Sequence, residues 1–280
     1  MSKTILLPDL FEITRANQHW NESGIDTLDR CENCSHYLSY PHPVEYQYNS
    51  RGFRDAEWPD NLTDVVWCVG DSFTAGIGSP REHTWPYILQ TRTGQRTINV
   101  SLDGASNNWI ARVAVAILTQ FPRAKMVVQW SFLHRREADL ASIMDLKFQK
   151  FYNTVKDPSW PECNNLKEFE KLPEQIKTQI TDIHKWTNTV YGDERRITHQ
   201  PGATVNEDII NTQQCMAQLP GHVVHTAIPN WAPPGTKFHF QNVIPVKQLD
   251  LARDAFHYDI LSSNALVDKI IPALAQCATT

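Results

Sequence analysis

Glycine is scarce. There are 11 in 280 residues, about 4% against a usual share near 7%, which excludes collagen-like and Gly-rich linker architectures. Cysteine is sparse too: 6 in a chain of this length are too few for a disulfide scaffold, so reduced thiols are expected. A basic excess is missing. Lys plus Arg number 26 and Asp plus Glu 31, a net charge of -5, which is not the balance of a nucleic-acid binder. No apolar run approaches the ~18 residues that span a bilayer. The opening stretch, MSKTILLPDLFEITRANQ, lacks a signal-peptide layout, because Pro8 and Asp9 break its short apolar patch. The cytosol is therefore the expected compartment. Against these absences stand 41% hydrophobic and 20% charged residues, ordinary globular usage in a chain long enough to bury a sizeable core.

Residues 1–60 are rich in Asn, Tyr, Pro, His and Arg, with few aliphatics and little periodicity. They read as an irregular extension packed on a main domain over 61–280. Within the extension, Tyr48 to Asp55 reads as a turn, with Gly52 supplying an unusual backbone angle. From residue 64 the pattern changes. Val65-Val66-Trp67-Cys68-Val69 is a short continuous apolar run, as in a strand buried on both faces. A helix is expected over 82–93, a strand over 98–100, and a helix capped by Ser106 with Ile110, Val113 and Ile117 on one face. Lys125 to Trp130 reads as a third strand. Residues 134–165 give no clear pattern. Leu172, Ile176, Ile180, Ile183 and Trp186 predict a long amphipathic helix over 170–190. A helix at 204–218, strands at 222–228 and 242–246, and a last helix at 260–275 complete the series. Apolar strands alternating with helices imply a flavodoxin-like three-layer α/β sandwich with a parallel sheet of about five strands. In such sheets active sites lie beyond the carboxyl ends of the strands.

Three places there hold chemistry-bearing residues. After the first strand comes Gly70-Asp71-Ser72-Phe73-Thr74-Ala75-Gly76. Ser72 on a strand-to-helix turn presents its hydroxyl at the sheet edge, and its N–H, at a helix start, can face a developing oxyanion. A capping serine on a glycine turn would look the same. After the second strand, Gly104 offers an unhindered N–H, or is simply a turn glycine. Before the last helix stands Asp254-Ala255-Phe256-His257. A hydrolytic serine needs a base, and the base an orienting carboxylate. The two-residue spacing lets Asp254 face His257, although a solvated turn has the same pattern.

Taken together, these blocks resemble the SGNH hydrolases, also called GDSL-type esterases and lipases. Gly70-Asp71-Ser72, with Thr74 and Gly76, is similar to the first family block. Gly104 matches the second, and Asp254 with His257 the last, just ahead of the C-terminal helix. Upstream, Asn49-Ser50-Arg51-Gly52-Phe53-Arg54 is similar to a stretch that precedes the first block in many bacterial and phage members, and Thr84-Trp85-Pro86 downstream is similar too. The resemblance implies a serine hydrolase cleaving carboxylic esters, with small acyl groups such as O-acetyl on carbohydrate favoured. It implies Ser72 as nucleophile, His257 as base, Asp254 as its orienting partner, and the N–H groups of Ser72 and Gly104 as oxyanion donors. It implies no metal or organic cofactor. The expected partner is a small-molecule or glycan ester, with no nucleic acid and no membrane span. A location in the virion fits if the chain is of phage origin.

One block departs. The family's third block, Gly-x-Asn-Asp, supplies an oxyanion donor through its Asn. Here the third strand runs into Gln129-Trp130-Ser131-Phe132-Leu133-His134, and the Asn position falls on Phe132 or Leu133, neither of which donates. Asn107 is the favoured replacement donor, ahead of Asn108 and His134. The departure also supports the alternative of a non-catalytic SGNH-fold binding or structural protein. Arg135 and Arg136 suit either an anionic substrate group or a solvated pair answering Glu137 and Asp139. Asn230-Trp231 suits a pocket wall or a packed loop. Cys31, Cys34, His36 and His42 form a single knuckle, without the second pair a structural zinc site needs.

Overall fold

The computed structural model describes residues 16–20, 44–136, 152–153, 156–164, 166–169, 171–177, 204–232 and 242–277. The strands among them are β1 (His19–Trp20), β2 (Tyr46–Gln47), β3 (Val66–Gly70), β4 (Thr97–Ser101), β5 (Lys125–Trp130), β6 (Val224–Ala227) and β7 (Val243–Pro245). The helices are α1 (Ser72–Ala75), α2 (Trp85–Thr93), α3 (Asn107–Gln120), α4 (Leu166–Phe169), α5 (Glu174–Lys177), α6 (Val205–Ala217) and α7 (Ile260–Cys277). β1 and β2 form a small antiparallel pair. The other five strands form one sheet in the order β4-β3-β5-β6-β7, every neighbouring pair parallel. Counted within that sheet, the order is 2-1-3-4-5, the doubly wound flavodoxin-like arrangement whose strand order reverses between β3 and β5.

Alternation along the strands builds the two outer layers. Trp67 and Val69, with Met126, Val128 and Trp130, face the layer that holds α3 and Leu219 just beyond α6. Val66, Cys68 and Val127 face the opposite layer, where Trp85, Ile88 and Leu89 of α2 meet Leu266, Val267 and Ile270 of α7. Trp67, Trp85 and Trp130 are fully buried. Each large side chain buried this way contributes about 1.5–3 kcal/mol, so the two faces of the sheet hold the molecule together. The four described cysteines, Cys68, Cys163, Cys215 and Cys277, are free thiols. Among the described residues, no helix is long and apolar enough to cross a membrane.

Caps set the element boundaries. The Ser106 side chain accepts from the Trp109 N–H at the head of α3. Thr204 and Glu207 form a reciprocal capping box on α6. Asp250 accepts from the N–H groups of Leu261 and Ser262 at the head of α7. The second helix starts later than its sequence suggests. Arg81–His83 is a 3-10 turn, Thr84 is extended, and the α-helix begins at Trp85 with Pro86 in its first turn, where a missing N–H costs nothing. Of the long helix expected over 170–190, residues 171–173 are turn or irregular and Glu174–Lys177 form one helical turn, while residues beyond 177 lie outside the described ones.

The extension is tied to the sheet's β4 edge and to α1. Asn49 folds the turn at 49–53: its Oδ1 accepts from the N–H groups of Arg51 and Phe53. Gly52 sits at φ 83°. Phe53 enters the α3-side core. Asp55 accepts from the outward Asn99 N–H of β4 at 3.0 Å and pairs with both Arg96 Nη atoms, at 3.0 and 3.2 Å. Burial pushes the Asp55 carboxyl up, against the pull of the Arg96 guanidinium. An edge strand whose N–H is occupied cannot pair with another chain at that point.

Candidate active site

Ser72 stands at the carboxyl end of β3, at the point where the strand order reverses. The local sequence explains the turn. A Cβ on Gly70 would lie 2.1 Å from Thr74 Oγ1, so only glycine lets α1 fold back this closely on the strand. Asp71 caps α1, its Oδ1 accepting from the Phe73 N–H at 3.0 Å. Its Oδ2 accepts from Ser131 Oγ at 2.6 Å and from Arg135 Nη1 at 3.1 Å. Burial raises the Asp71 carboxyl above its ordinary value, and Arg135 and Ser131 pull it back.

Ser72 Oγ lies 2.8 Å from His257 Nε2, and His257 Nδ1 lies 2.6 Å from Asp254 Oδ2. The Asp254 and His257 side chains are 0% and 2% exposed, so water does not compete for these contacts. The other carboxylate oxygen of Asp254 accepts from the N–H groups of Phe256 and His257, at 3.0 and 2.9 Å. Ala255 between them adopts φ 57°, a left-handed angle that costs a non-glycine residue about 1–2 kcal/mol. The tight turn places carboxylate and imidazole face to face. Ser72 itself is 2% exposed, beside the Phe73 ring, whose centroid lies 4.4 Å from that of the imidazole.

The turn after β4 runs beside this site, since the Leu102 N–H donates to the Gly70 carbonyl. Gly104 lies in it at φ 73°. Among the described residues, neither the Ser72 N–H nor the Gly104 N–H donates to another group of the protein. Ser72 opens α1, where N–H groups go without intrahelical partners, and Gly104 lies in the turn ahead of α3.

Asn107 does not join them. Its Nδ2 faces the carbonyls of Ser131 and Phe132 and, at 3.1 Å, Thr212 Oγ1, while its Oδ1 accepts from the Ser131 N–H. The amide stitches α3 to the end of β5 and to α6, and no hydrogen remains for an oxyanion. Asn108 exchanges amide bonds with Asn211, and His134 stacks on Phe132 with centroids 5.5 Å apart. The two arginines also face inward partners: Arg135 pairs with Asp71, and Arg136 with Asp208 at 3.1 Å. Trp231 packs against both cores, and its carbonyl accepts from the Leu133 N–H. Phe132 joins Phe73 and the half-exposed Phe256 in an aromatic rim beside His257.

Sequence reasoning missed a buried polar hub beneath the site. Gln129 Oε1 accepts from Thr74 Oγ1 at 2.8 Å and from the Trp85 indole at 3.3 Å. Its Nε2 donates to Tyr258 OH at 3.0 Å. One strand residue thus holds both the serine helix and the histidine turn. Burial pushes the Tyr258 phenol far up, so it stays neutral. The only signal was a glutamine inside an otherwise apolar run.

Chemically, the arrangement offers a hydroxyl against an imidazole, a buried carboxylate behind it, and two N–H groups at adjacent strand ends. Among the described residues, no group of three or more His, Cys, Asp or Glu is placed to hold a metal ion, and Cys31, Cys34, His36 and His42 lie outside them. No protein-family model matches the chain, and no curated protein sequence matches it. Among solved structures, a mutant of the esterase AlinE4 is similar over 57% of this chain and 99% of its own, with 16% identity and a TM-score of 0.23.

Proposed function

We propose that the protein is a serine hydrolase of the SGNH type that cleaves carboxylic esters. The observation that carries this reading is the relay of 2.8 and 2.6 Å contacts from Ser72 through His257 to Asp254, buried at the carboxyl edge of a parallel sheet. A hydroxyl so placed loses its proton to the imidazole as it attacks. Ser72 Oγ bonds to the acyl carbon while its proton passes to His257 Nε2. Asp254 holds the Nδ1–H and stabilises the imidazolium. The N–H groups of Ser72 and Gly104 face the tetrahedral oxyanion. The imidazolium then protonates the departing alcohol, leaving an acyl-serine. Water, deprotonated by His257, releases the acid and restores the serine. The motif resemblance favours small acyl groups, such as O-acetyl on carbohydrate, and the rim of Phe132 and Phe256 suits the apolar face of a ring-bearing alcohol.

One observation favours a second reading. Phe132 or Leu133 falls where the resembled family carries its third donor, and each such donor is worth about 10²–10³ in rate. A site kept for binding alone would tolerate that change. A fluorophosphonate probe separates the two. Hydrolysis predicts labelling of Ser72 and turnover of p-nitrophenyl acetate or an acetylated sugar. Ser72→Ala should abolish both, at a stability cost of about 1–3 kcal/mol, since the buried His257 Nε2 loses its partner. A wild-type protein inert to the probe and to both esters supports the binding reading.

A further inference from the structure

We propose that Arg54 and Tyr46 of the extension are positioning residues for Asp254, acting through the loop at 76–79. The proposal rests on the hydrolase reading only for its kinetic arm.

Arg54 is 2% exposed, and its guanidinium donates to four backbone carbonyls. Nη1 donates to the carbonyls of Ala75, at 3.1 Å, and Gly76. Nη2 donates to the carbonyls of Ser79, at 2.7 Å, and Glu45, at 3.0 Å. Its plane lies 4.3 Å over the Tyr46 ring. The segment that leaves α1 is therefore wrapped around one planar cation, whose fixed fork suits several carbonyls at once in a way an ammonium does not. The Tyr46 hydroxyl accepts from the Gly78 N–H at 2.8 Å. Ala75 and Ile77 pack with Val44, Tyr46 and Tyr48 in a small separate core.

The far side of this loop meets the carboxylate. Gly78 sits at φ 80°, and a Cβ there would lie 2.9 Å from Asp254 Cγ and Oδ1 and from Ala252 Cβ. The Gly78 carbonyl accepts from the Arg253 N–H at 2.9 Å, and Ser79 Oγ donates to Asp259 at 2.8 Å. The Gly78 backbone is thus the wall that keeps the Asp254 carboxylate dry and turned toward His257. Arg54 and Tyr46 hold that wall from behind without touching the reacting groups.

The test compares Arg54→Lys, Tyr46→Phe and Gly78→Ala with Asp55→Asn, which loosens the same extension at β4 instead. Ester turnover is measured, together with the far-downfield Nδ1–H proton resonance of His257 in histidine-labelled protein. Arg54→Lys and Tyr46→Phe should lower kcat, Arg54→Lys by about tenfold or more, with KM within about twofold. Both should broaden or remove the resonance. Arg54→Lys combined with Gly78→Ala should lose less than the sum of the two, because both act on one contact. Asp55→Asn should lower Tm while keeping kcat and the resonance. Tyr46→Phe, which removes a single oxygen, decides the matter if Arg54→Lys does not fold. Folded variants with wild-type resonance and kcat overturn the proposal, as does Asp55→Asn matching Arg54→Lys in both. If the wild type cleaves no ester but shows the resonance and Arg54→Lys loses it, the hydrolase reading falls and the positioning role stands.

Discussion

Asn107 spends its whole amide inside the protein, and that makes its substitution a question of folding before chemistry. Asn107→Ala strands the buried Ser131 N–H and Thr212 hydroxyl, at about 1–3 kcal/mol for a buried group left unsatisfied. Urea unfolding should show a loss of that size, while Asn108→Ala, which breaks the half-buried exchange with Asn211, should cost under about 1 kcal/mol. An oxyanion donor behaves the other way, with turnover down a hundredfold or more and stability nearly untouched. Ser72, Asp254 and His257 stand out in the sequence because each sits in a short string that resembles a family block. Tyr46 and Gln129 do not, and Arg54 shows only as part of a resembled stretch with no role attached. Each has a partner at least 20 positions away, as in the Arg54 bond to Ala75, the Tyr46 bond to Gly78 and the Gln129 bond to Thr74, and no local pattern encodes such meetings.

At the scale of elements, runs and caps were the legible features. Lys125–Trp130 coincides with its apolar run, and Ser106 caps α3 as its position suggests. Legibility failed at the head of α2, where residues 81–83 form a 3-10 turn and the α-helix begins at Trp85. The last helix begins at Ile260 as its pattern suggests, although its capping carboxylate comes from Asp250, ten residues before. Asp250 also accepts from the Asp259 N–H, two residues past His257. Asp250→Ala should therefore cost about 1–2 kcal/mol, the upper range for a lost cap. Amide exchange should locate the loss: faster exchange at Leu261 and Ser262, with the amides of β3 and β5 unchanged.

For the molecule as a whole, pH enters through His225. On β6, its Nδ1 accepts from the Trp130 indole at 3.1 Å, and burial lowers its pKa from 6.5 to about 4. A base lowered on folding binds its proton more readily when unfolded. Its contribution is therefore complete above 6.5 and is lost as pH falls toward 4, up to about 3 kcal/mol. His83, also lowered by burial, adds in the same sense. Asp55 and Asp71, raised by burial, oppose it just above the carboxylate range. Denaturant midpoints measured from pH 7.5 to 4.5 should fall for the wild type and fall less for His225→Gln, which keeps an acceptor for the indole. The Gln129 hub has a different reach. Thr74, Trp85, Gln129, Thr226 and Tyr258 form one buried network of donors and acceptors, spread over 185 positions of the chain, counting from 74 through 258. A change at any one leaves a buried group of another without its complement, so these five are heritable only as a unit. Descendants of this chain can explore new residues around the aromatic rim one at a time, whereas the floor beneath Ser72 and His257 can be revised only by several substitutions arriving together.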